Sequence, residues 1–285
     1  MVEWCWINGK VMPLAEATVN VEDRGFQFAD GVYEAVRLYG GKPFMLDLHM
    51  ERLLRSCEGI RLKLPLAKFT LVSELLKLVA HSGIKDGWVY LQVTRGPAPR
   101  NHIYPAAPSP TVLFYVRALE PLPPAERVRP YALLSVLDDR WNKCWIKAIA
   151  LLPNVLAKNA AADAGCDEAI FIHNGNVTEG SASNLFMVQS GRLITHPAGE
   201  KVLPGVTRDV LLDCAKTLGI PVEERPMPLE EARRANEVFI TSSTRELVWV
   251  NRWDNQQIAD GRCGPICCKL HEEYRKRVNQ MRDER

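Results

Sequence analysis

A marked excess of either charge is missing from this chain: 36 Lys and Arg stand against 34 Asp and Glu in 285 residues, a net charge of +2. Both signs are mixed along the sequence, which argues against a nucleic-acid partner or a polybasic membrane anchor. No apolar run approaches the roughly 20 residues that cross a bilayer, and MVEWCWINGK lacks the basic-then-apolar pattern that directs export. The expectation is a cytoplasmic protein with no membrane partner. No internal repeat or low-complexity tract occurs.

Paired CxxC signatures are absent as well. The eight cysteines, at 5, 57, 144, 166, 214, 263, 267 and 268, sit mostly in apolar-periodic segments. Small hydrophobes in a reducing compartment behave this way, so free thiols are expected. Only CGPICCKLH, with Cys263, Cys267, Cys268 and His271, could offer soft ligands. Structural zinc usually takes separated CxxC pairs, and adjacent helical side chains diverge by about 100°, so no metal is expected there.

The apolar content is 47%, enough for a real core in one large or two medium domains. WCWINGKVM and GVYEAVRLYGGKPFML read as hairpins around Asn-Gly and Gly-Gly turns. The period then changes. Asp47 is a candidate cap for a helix whose stripe is Met50, Leu53, Leu54 and Cys57, and Phe69, Val72, Leu76 and Val79 make a second stripe ending at Gly83. WVYLQVTRG and TVLFYVRAL return to strand composition, so this first part is α+β.

EPLPPAERVRP follows, with four prolines in a segment suited to a stiff linker. The spacing predicts a small domain over 1–120, a linker over 121–130 and a larger domain over 131–285. Within the last, YALLSVL, EAIFIH, SNLFMVQ, RLITH, EVFITSS and LVWV are strand candidates. Helices are expected from about Pro153 to Ala164, after GVTRD with Val210, Leu211, Cys214 and Leu218 on one face, and from Pro265.

Chemistry first suggests itself at CWIKAIALLPN. Between Lys143 and Lys158 the only other ionisable side chains are Cys144 and Lys147, so no carboxylate stands near Lys147 in sequence. An ammonium among Trp145, Ile146, Ile149 and Leu151 would be desolvated, which favours the neutral amine that attacks carbonyls and forms Schiff bases. A lysine there can equally snorkel to solvent. Downstream, GNVTEGSASNLF sets Glu179 among small residues at the mouth of a strand. LPGVTRD brings backbone N–H groups and the Thr207 hydroxyl to a helix start, where an anion is favoured, although threonine is also an ordinary cap. TSSTRE adds hydroxyls at a strand end, and Arg52 lies off the apolar stripe of its helix. Lysine, carboxylate, anion cradle and arginine are what pyridoxal phosphate needs.

The order of these motifs resembles the fold type IV pyridoxal-phosphate aminotransferases, and within them the bacterial D-amino acid transaminases. EDRGFQFADGVYEAVRLYGG, HMERL, VTRGPAPRNH, DDRWNKCWIKAIALLPNVLAK, GCDEAI, VTEGSASN, THPAGEKVLPGVTRD and FITSSTRE carry the resemblance nearly end to end. It implies a smaller N-terminal α+β domain, a larger C-terminal domain on a mixed, barrel-like β core with helices, and the cofactor in the cleft between them. It further implies that Lys147 forms the Schiff base and moves the proton, and that Glu179 keeps the ring nitrogen protonated. Arg52, the Val206 backbone, Thr207 and Ser243 are implied to hold the phosphate, with Arg140 and Leu203 also on the cofactor side. Tyr33, Arg100 and His102 are implied to clamp the substrate carboxylate, and Arg37 to face the substrate. A guanidinium fork suits a carboxylate by shape as well as charge.

The expected activity is transfer of an amino group between a D-amino acid, D-alanine or D-glutamate, and a 2-oxo acid, in a homodimer. Rival readings are a branched-chain L-amino acid or (R)-amine transaminase, an aminodeoxychorismate lyase, and a non-catalytic module that binds the cofactor. PRNH speaks against the first two and intact Lys147 and Glu179 against the last. Ala35, Arg37, Ala182 and Arg245 depart from the family's usual residues and leave substrate range open.

Overall fold

The computed structural model describes residues 2–283; Met1, Glu284 and Arg285, inside the expected spans 1–120 and 131–285, lie outside the described residues. The chain divides into two compact units, Met1–Pro121 with Ile146–Ala150, and Leu122–Trp145 with Leu151–Arg285. The segment holding Lys147 thus clusters with the first unit, whereas the sequence reading had it in the span 131–285. Its backbone is the reason: it completes the edge of a first-unit strand, as described below.

In the first unit β1 (Trp4–Ile7), β2 (Lys10–Pro13), α1 (Arg24–Phe28), β3 (Gly31–Tyr39), β4 (Lys42–Pro43), α2 (Leu46–Gly59), α3 (Lys68–Ser82), β5 (Gly87–Thr94) and β6 (Thr111–Ala118) follow one another. The six strands form one antiparallel sheet in the order β2-β1-β6-β5-β3-β4. Alternation gives β3 two faces. Val32, Glu34, Val36 and Leu38 lie on the side of α2, in register with Val93, Leu91 and Val89 of β5 and Val112, Phe114 and Val116 of β6, all buried. Tyr33, Ala35, Arg37 and Tyr39 lie on the other.

Two helix details differ from the sequence reading. Met45, in a left-handed conformation, is the N-cap of α2, and Asp47 sits inside the first turn, where the helix dipole still favours an acid. In α3 the buried stripe is Leu71, Leu75, Leu78, Val79 and Ser82, while Phe69 is 82% and Leu76 43% exposed. Two stripes of helical spacing run along that segment. Packing against β1 and β6 selected the one periodicity did not single out.

The second unit runs β7 (Tyr131–Leu137), α4 (Leu152–Asp163), β8 (Glu168–His173), β9 (Asn176–Gly180), β10 (Asn184–Gln189), β11 (Arg192–Thr195) and α5 (Val206–Thr217). It continues with β12 (Val222–Glu224), β13 (Met227–Pro228), α6 (Leu229–Arg233), β14 (Glu237–Ser242), β15 (Glu246–Trp253), β16 (Gln256–Gln257) and α7 (Pro265–Asp283). Ten strands form a mixed sheet, β12-β11-β10-β14-β15-β7-β8-β9-β13, with β16 on β15. The pairs β11·β12, β15·β7 and β7·β8 are parallel. This is the expected mixed, helix-decorated second fold unit.

Its core joins Leu133, Ile170, Val177, Leu185, Met187, Val238, Val248 and Trp253. All the longer strands expected from composition form; β12, β13, β16, α1 and α6, at five residues or fewer, are too short to display a period. Leu218, expected on the buried face of α5, is its C-cap and 37% exposed. Among the described residues no helix is long and apolar enough to cross a membrane.

Candidate active site

Lys147 owes its position to the edge of β3. Tyr33 N–H donates to the Lys147 carbonyl at 3.0 Å, Ile149 N–H donates to the Gly31 carbonyl at 3.1 Å, and Ala148 bridges Val32. Only glycine fits at 31, because a Cβ there would come within 2.9 Å of Ile149 Cδ1 and 2.7 Å of the Val93 carbonyl. The Lys147 backbone N–H donates to Ser56 Oγ of α2 at 3.1 Å. Its side chain is half-buried, with Nζ 4.2 Å from the centroid of the Tyr33 ring. Among the described residues no carboxylate pairs with Nζ, which lies over an aromatic face.

Beneath Tyr33, on the opposite face of β3, a buried ionic group ties the sheet to α2. Arg52 donates from Nε to Glu34 Oε1 at 2.8 Å and from Nη2 to Oε2 at 2.7 Å, and His49 Nδ1 lies 2.7 Å from Oε2. Burial alone would raise the Glu34 carboxyl, yet the Arg52 guanidinium and His49 bring it down to about 2. Burial lowers His49, and the cations Arg52 and Lys147 add to this against the pull of Glu34. The imidazole is therefore neutral at neutral pH, with its Nδ1 hydrogen on Glu34. Arg52 lies off the apolar stripe as expected, but it is buried rather than solvated.

The second unit holds Glu179 inside β9, one residue short of its end, rather than at a strand mouth. Its Oε1 accepts from Arg140 Nη1 at 2.7 Å; its Oε2 accepts from the Leu203 N–H at 2.9 Å and from Asn184 Nδ2 at 3.2 Å. Arg140 is itself clamped by Asp138, which accepts from Nε and Nη2 at 2.9 Å each, and it stacks 4.0 Å from the Phe171 ring centroid. Burial works against the Arg140 charge, but Asp138 and Glu179 more than offset it and raise its pKa. Burial likewise opposes the Asp138 charge, and Arg140 and Thr178 hold its pKa below the usual carboxylate range all the same. Arg140 and Leu203 therefore act on Glu179: they hold an ionised, acceptor-only carboxylate in one orientation.

At the head of α5, Gly205 is the N-cap and makes no side-chain cap. Val206 and Thr207 are its first two helical residues, both buried, so capping does not account for Thr207. The unpaired first-turn N–H groups and the dipole make this end receptive to an anion. Ser243 stands in the turn between β14 and β15, and Thr241 Oγ1, on the strand residue facing Asn184, is buried with no hydrogen-bond partner.

The PRNH loop belongs to the first unit. It is pinned by Arg24, which donates to the Asn101 carbonyl and, through Nε, to Asp30 at 2.8 Å. Exposed Arg100 lies 4.5 Å over the Phe28 ring, with His102 5.3 Å from the same ring. Among the described residues no hydrogen bond or ring contact joins either to Tyr33. Arg37 is buried, donates from Nη2 to the Glu120 carbonyl at 3.1 Å and lies 5.3 Å over Tyr39. That turns its guanidinium toward the end of β3 away from Tyr33.

Glu34, His49, Ser56, Asp138 and Asn184 were not singled out from the sequence. A signal existed for Glu34: alternation puts it between Val32 and Val36 on an inward face, where a carboxylate demands a buried partner. Asp138 stands beside an equally acidic Asp139, and nothing local tells which turns inward.

The chain matches the model of the family described as amino-transferase class IV over residues 31–253. It is 44% identical over 271 residues to a D-alanine aminotransferase of Listeria innocua, covering 94% of this chain and 93% of that one. A D-alanine aminotransferase of Bacillus licheniformis is 40% identical, with 91% of each chain covered. Among solved structures, the branched-chain aminotransferase of Thermoproteus uzoniensis superposes with a TM-score of 0.87 at 28% identity, covering 100% of this chain and 97% of that one. An amine held over an aromatic ring, a carboxylate fixed by three donors, and a near-full-length match of this kind together make the chain a member of the class IV aminotransferases.

Proposed function

We propose that this protein is a pyridoxal-phosphate-dependent D-amino acid transaminase that moves an amino group between D-alanine or D-glutamate and a 2-oxo acid. The observation carrying the reading is the near-full-length similarity to D-alanine aminotransferases. The residues present suit the cofactor. Among the described residues Lys147 has no counter-ion to neutralise it, Glu179 is held as an acceptor, the first turn of α5 points backbone N–H donors outward, and Thr241 Oγ1 is an orphaned buried hydroxyl.

When bound, the cofactor supplies an aldehyde carbon for the amino group and a protonated ring that stabilises negative charge at Cα. Lys147 is the nucleophilic amine and the base that takes the substrate Cα proton. Glu179, oriented by Arg140, Asn184 and the Leu203 N–H, would hold the cofactor ring and keep its nitrogen protonated. Arg52, the Val206 and Thr207 N–H groups, the Thr207 hydroxyl and Ser243 hold the phosphate. Tyr33, Arg100 and His102 hold the substrate carboxylate. Arg37 spends Nη2 on the Glu120 carbonyl, while among the described residues its buried Nε and Nη1 have no hydrogen-bond partner and are available to the substrate.

We further infer a cytoplasmic homodimer. All eight cysteines are free thiols, which suits a reducing compartment. The exposed Arg100, which among the described residues has no hydrogen bond or ring contact with Tyr33, suits a loop that serves the site of a second subunit. Light scattering should return twice the chain mass.

Half-reactions test the activity: purified holoenzyme is mixed separately with D-alanine, L-leucine and (R)-1-phenylethylamine, and loss of the bound cofactor's near-visible absorbance is followed. D-Alanine should act fastest. Faster loss with L-leucine would replace this reading by the branched-chain one, which the structural neighbours favour.

A further inference from the structure

The N-terminal turn of α7 gathers three thiols that transamination does not use. Cys263 Sγ and Cys268 Sγ are 3.0 Å apart, within reach of a covalent bond after a small rotation. Both are half-buried, so a small oxidant can reach them, whereas Cys267 is buried at 1% exposure. The approach is built into the fold. Glu237 of β14 accepts from the Ile266 and Cys267 N–H groups at 2.9 and 2.7 Å and so clamps the start of the helix. Gly264 lies against that carboxylate, where a Cβ would come within 2.0 Å of it. Cys268 N–H donates to the Gly264 carbonyl at 3.1 Å, closing the turn that folds Cys263 back over Cys268.

The thiols also differ in character. Hydrogen bonding by Cys267 and Cys268 holds the Cys263 pKa below the ordinary thiol value despite burial and the carboxylates of Glu237 and Glu126. Burial instead pushes up Cys5, Cys57, Cys144 and Cys214, which marks them as inert packing residues. His271 does not join the group, being paired with Glu246 at 2.8 Å, and among the described residues no cluster of three His, Cys, Asp or Glu is arranged to hold a metal.

We propose that Cys263 and Cys268 form a redox-active dithiol that closes to a disulfide when a hydroperoxide oxidises Cys263. The Cys263 thiolate attacks one peroxide oxygen; the O–O bond breaks, an S–O bond forms, and the leaving oxygen departs as water or alcohol after taking a proton. Cys268 sulfur then attacks the sulfenic sulfur; the S–S bond forms, the S–O bond breaks, and the hydroxyl leaves as water with the Cys268 proton. Two thiols are oxidised and one peroxide is reduced. A dithiol reductant reverses the closure by exchange.

The test uses the full-length holoenzyme, treated briefly with hydrogen peroxide. Free thiols are blocked with one alkylating reagent, the protein is reduced, and newly exposed thiols are labelled with a second. Trypsin releases Cys263–Lys269, the peptide that carries all three cysteines, and tandem mass spectrometry reads which label each one bears. The expected result is loss of two of the eight thiols, with the second label on Cys263 and Cys268 and the first on Cys267. Without reduction the peptide should be lighter by two hydrogens. In C268S, the sulfenic acid at Cys263 should persist and be trapped by dimedone. Retention of all eight thiols, a second label on Cys267, or a C268S peptide still lacking two hydrogens would each overturn the assignment.

Discussion

The two units solve the same electrostatic problem with opposite signs. In the first, the guanidinium implied to meet a phosphate, Arg52, is backed by the buried Glu34 and His49. In the second, the carboxylate implied to meet a ring nitrogen, Glu179, is backed by Arg140, which Asp138 grips in turn. A buried charge without a partner is strongly unfavourable, so each functional ion carries its counter-ion on the protein side. The difference lies in depth. Glu34 is flanked by Leu91 and Val36 on an apolar sheet face, whereas Arg140 belongs to a chain of acid, base and acid that runs through Thr178, Asn184 and the Leu203 backbone. In the first unit one carboxylate, Glu34, meets both Arg52 and His49; in the second, Arg140, Asn184 and the Leu203 N–H converge on Glu179.

Replacing Lys147 by Ala tests whether the charge pairs alone support turnover. Loss of the amine should cut D-alanine transamination at least about 10³-fold, with circular dichroism unchanged. Wild-type activity in that variant would remove Lys147 from its role.

Glu34→Gln strikes the carboxylate that Arg52 and His49 share. It leaves Arg52 buried against a neutral amide, and chemical denaturation should show a loss of about 3–5 kcal/mol, with weaker cofactor binding by the apo form. A loss well below that of Asp138→Asn would contradict the contrast between the units. Because the folded Glu34 pKa is depressed from 4.5 to about 2, its stabilisation is fully present above pH 4.5 and is lost as pH falls through that window. It amounts to something on the order of 3 kcal/mol. The acid limb of the stability profile should accordingly be shallower in Glu34→Gln than in wild type.

Asn184→Ala removes one of several donors to Glu179 and a bond to the Leu203 carbonyl. Its cost should be about 1–2 kcal/mol, less than for Glu34. At the smallest end, Arg100→Ala should leave stability within about 0.5 kcal/mol, since its side chain is exposed. It should nevertheless raise KM for D-alanine and pyruvate together; an unchanged KM would take Arg100 out of the carboxylate clamp.

Local pattern made much of this protein legible. Alternating and apolar-periodic runs mark the main strands and helices, because side-chain direction repeats every two or 3.6 residues whatever the surroundings. The resemblance to the family's motifs singled out Lys147 and Glu179 as candidates, a lysine without a nearby carboxylate and an acid among small residues. Periodicity failed in α3, where two apolar stripes compete and only the facing strands decide between them. It was also silent on the partners of each charge, since Glu34 and Arg52 are 18 residues apart and Arg140 and Glu179 39, and on the Ser56 hydroxyl that the Lys147 backbone N–H reaches across 91.

The sequence by itself determined the family, the main secondary elements and the residue types of the site. Only tertiary structure decided that Lys147 completes the edge of β3, that Arg52 and Glu179 each stand on a buried counter-ion, and that Cys263 meets Cys268. The physical reason is range: backbone preference acts between neighbours, whereas desolvated charges and thiols take whatever partner the packing brings within about 3 Å.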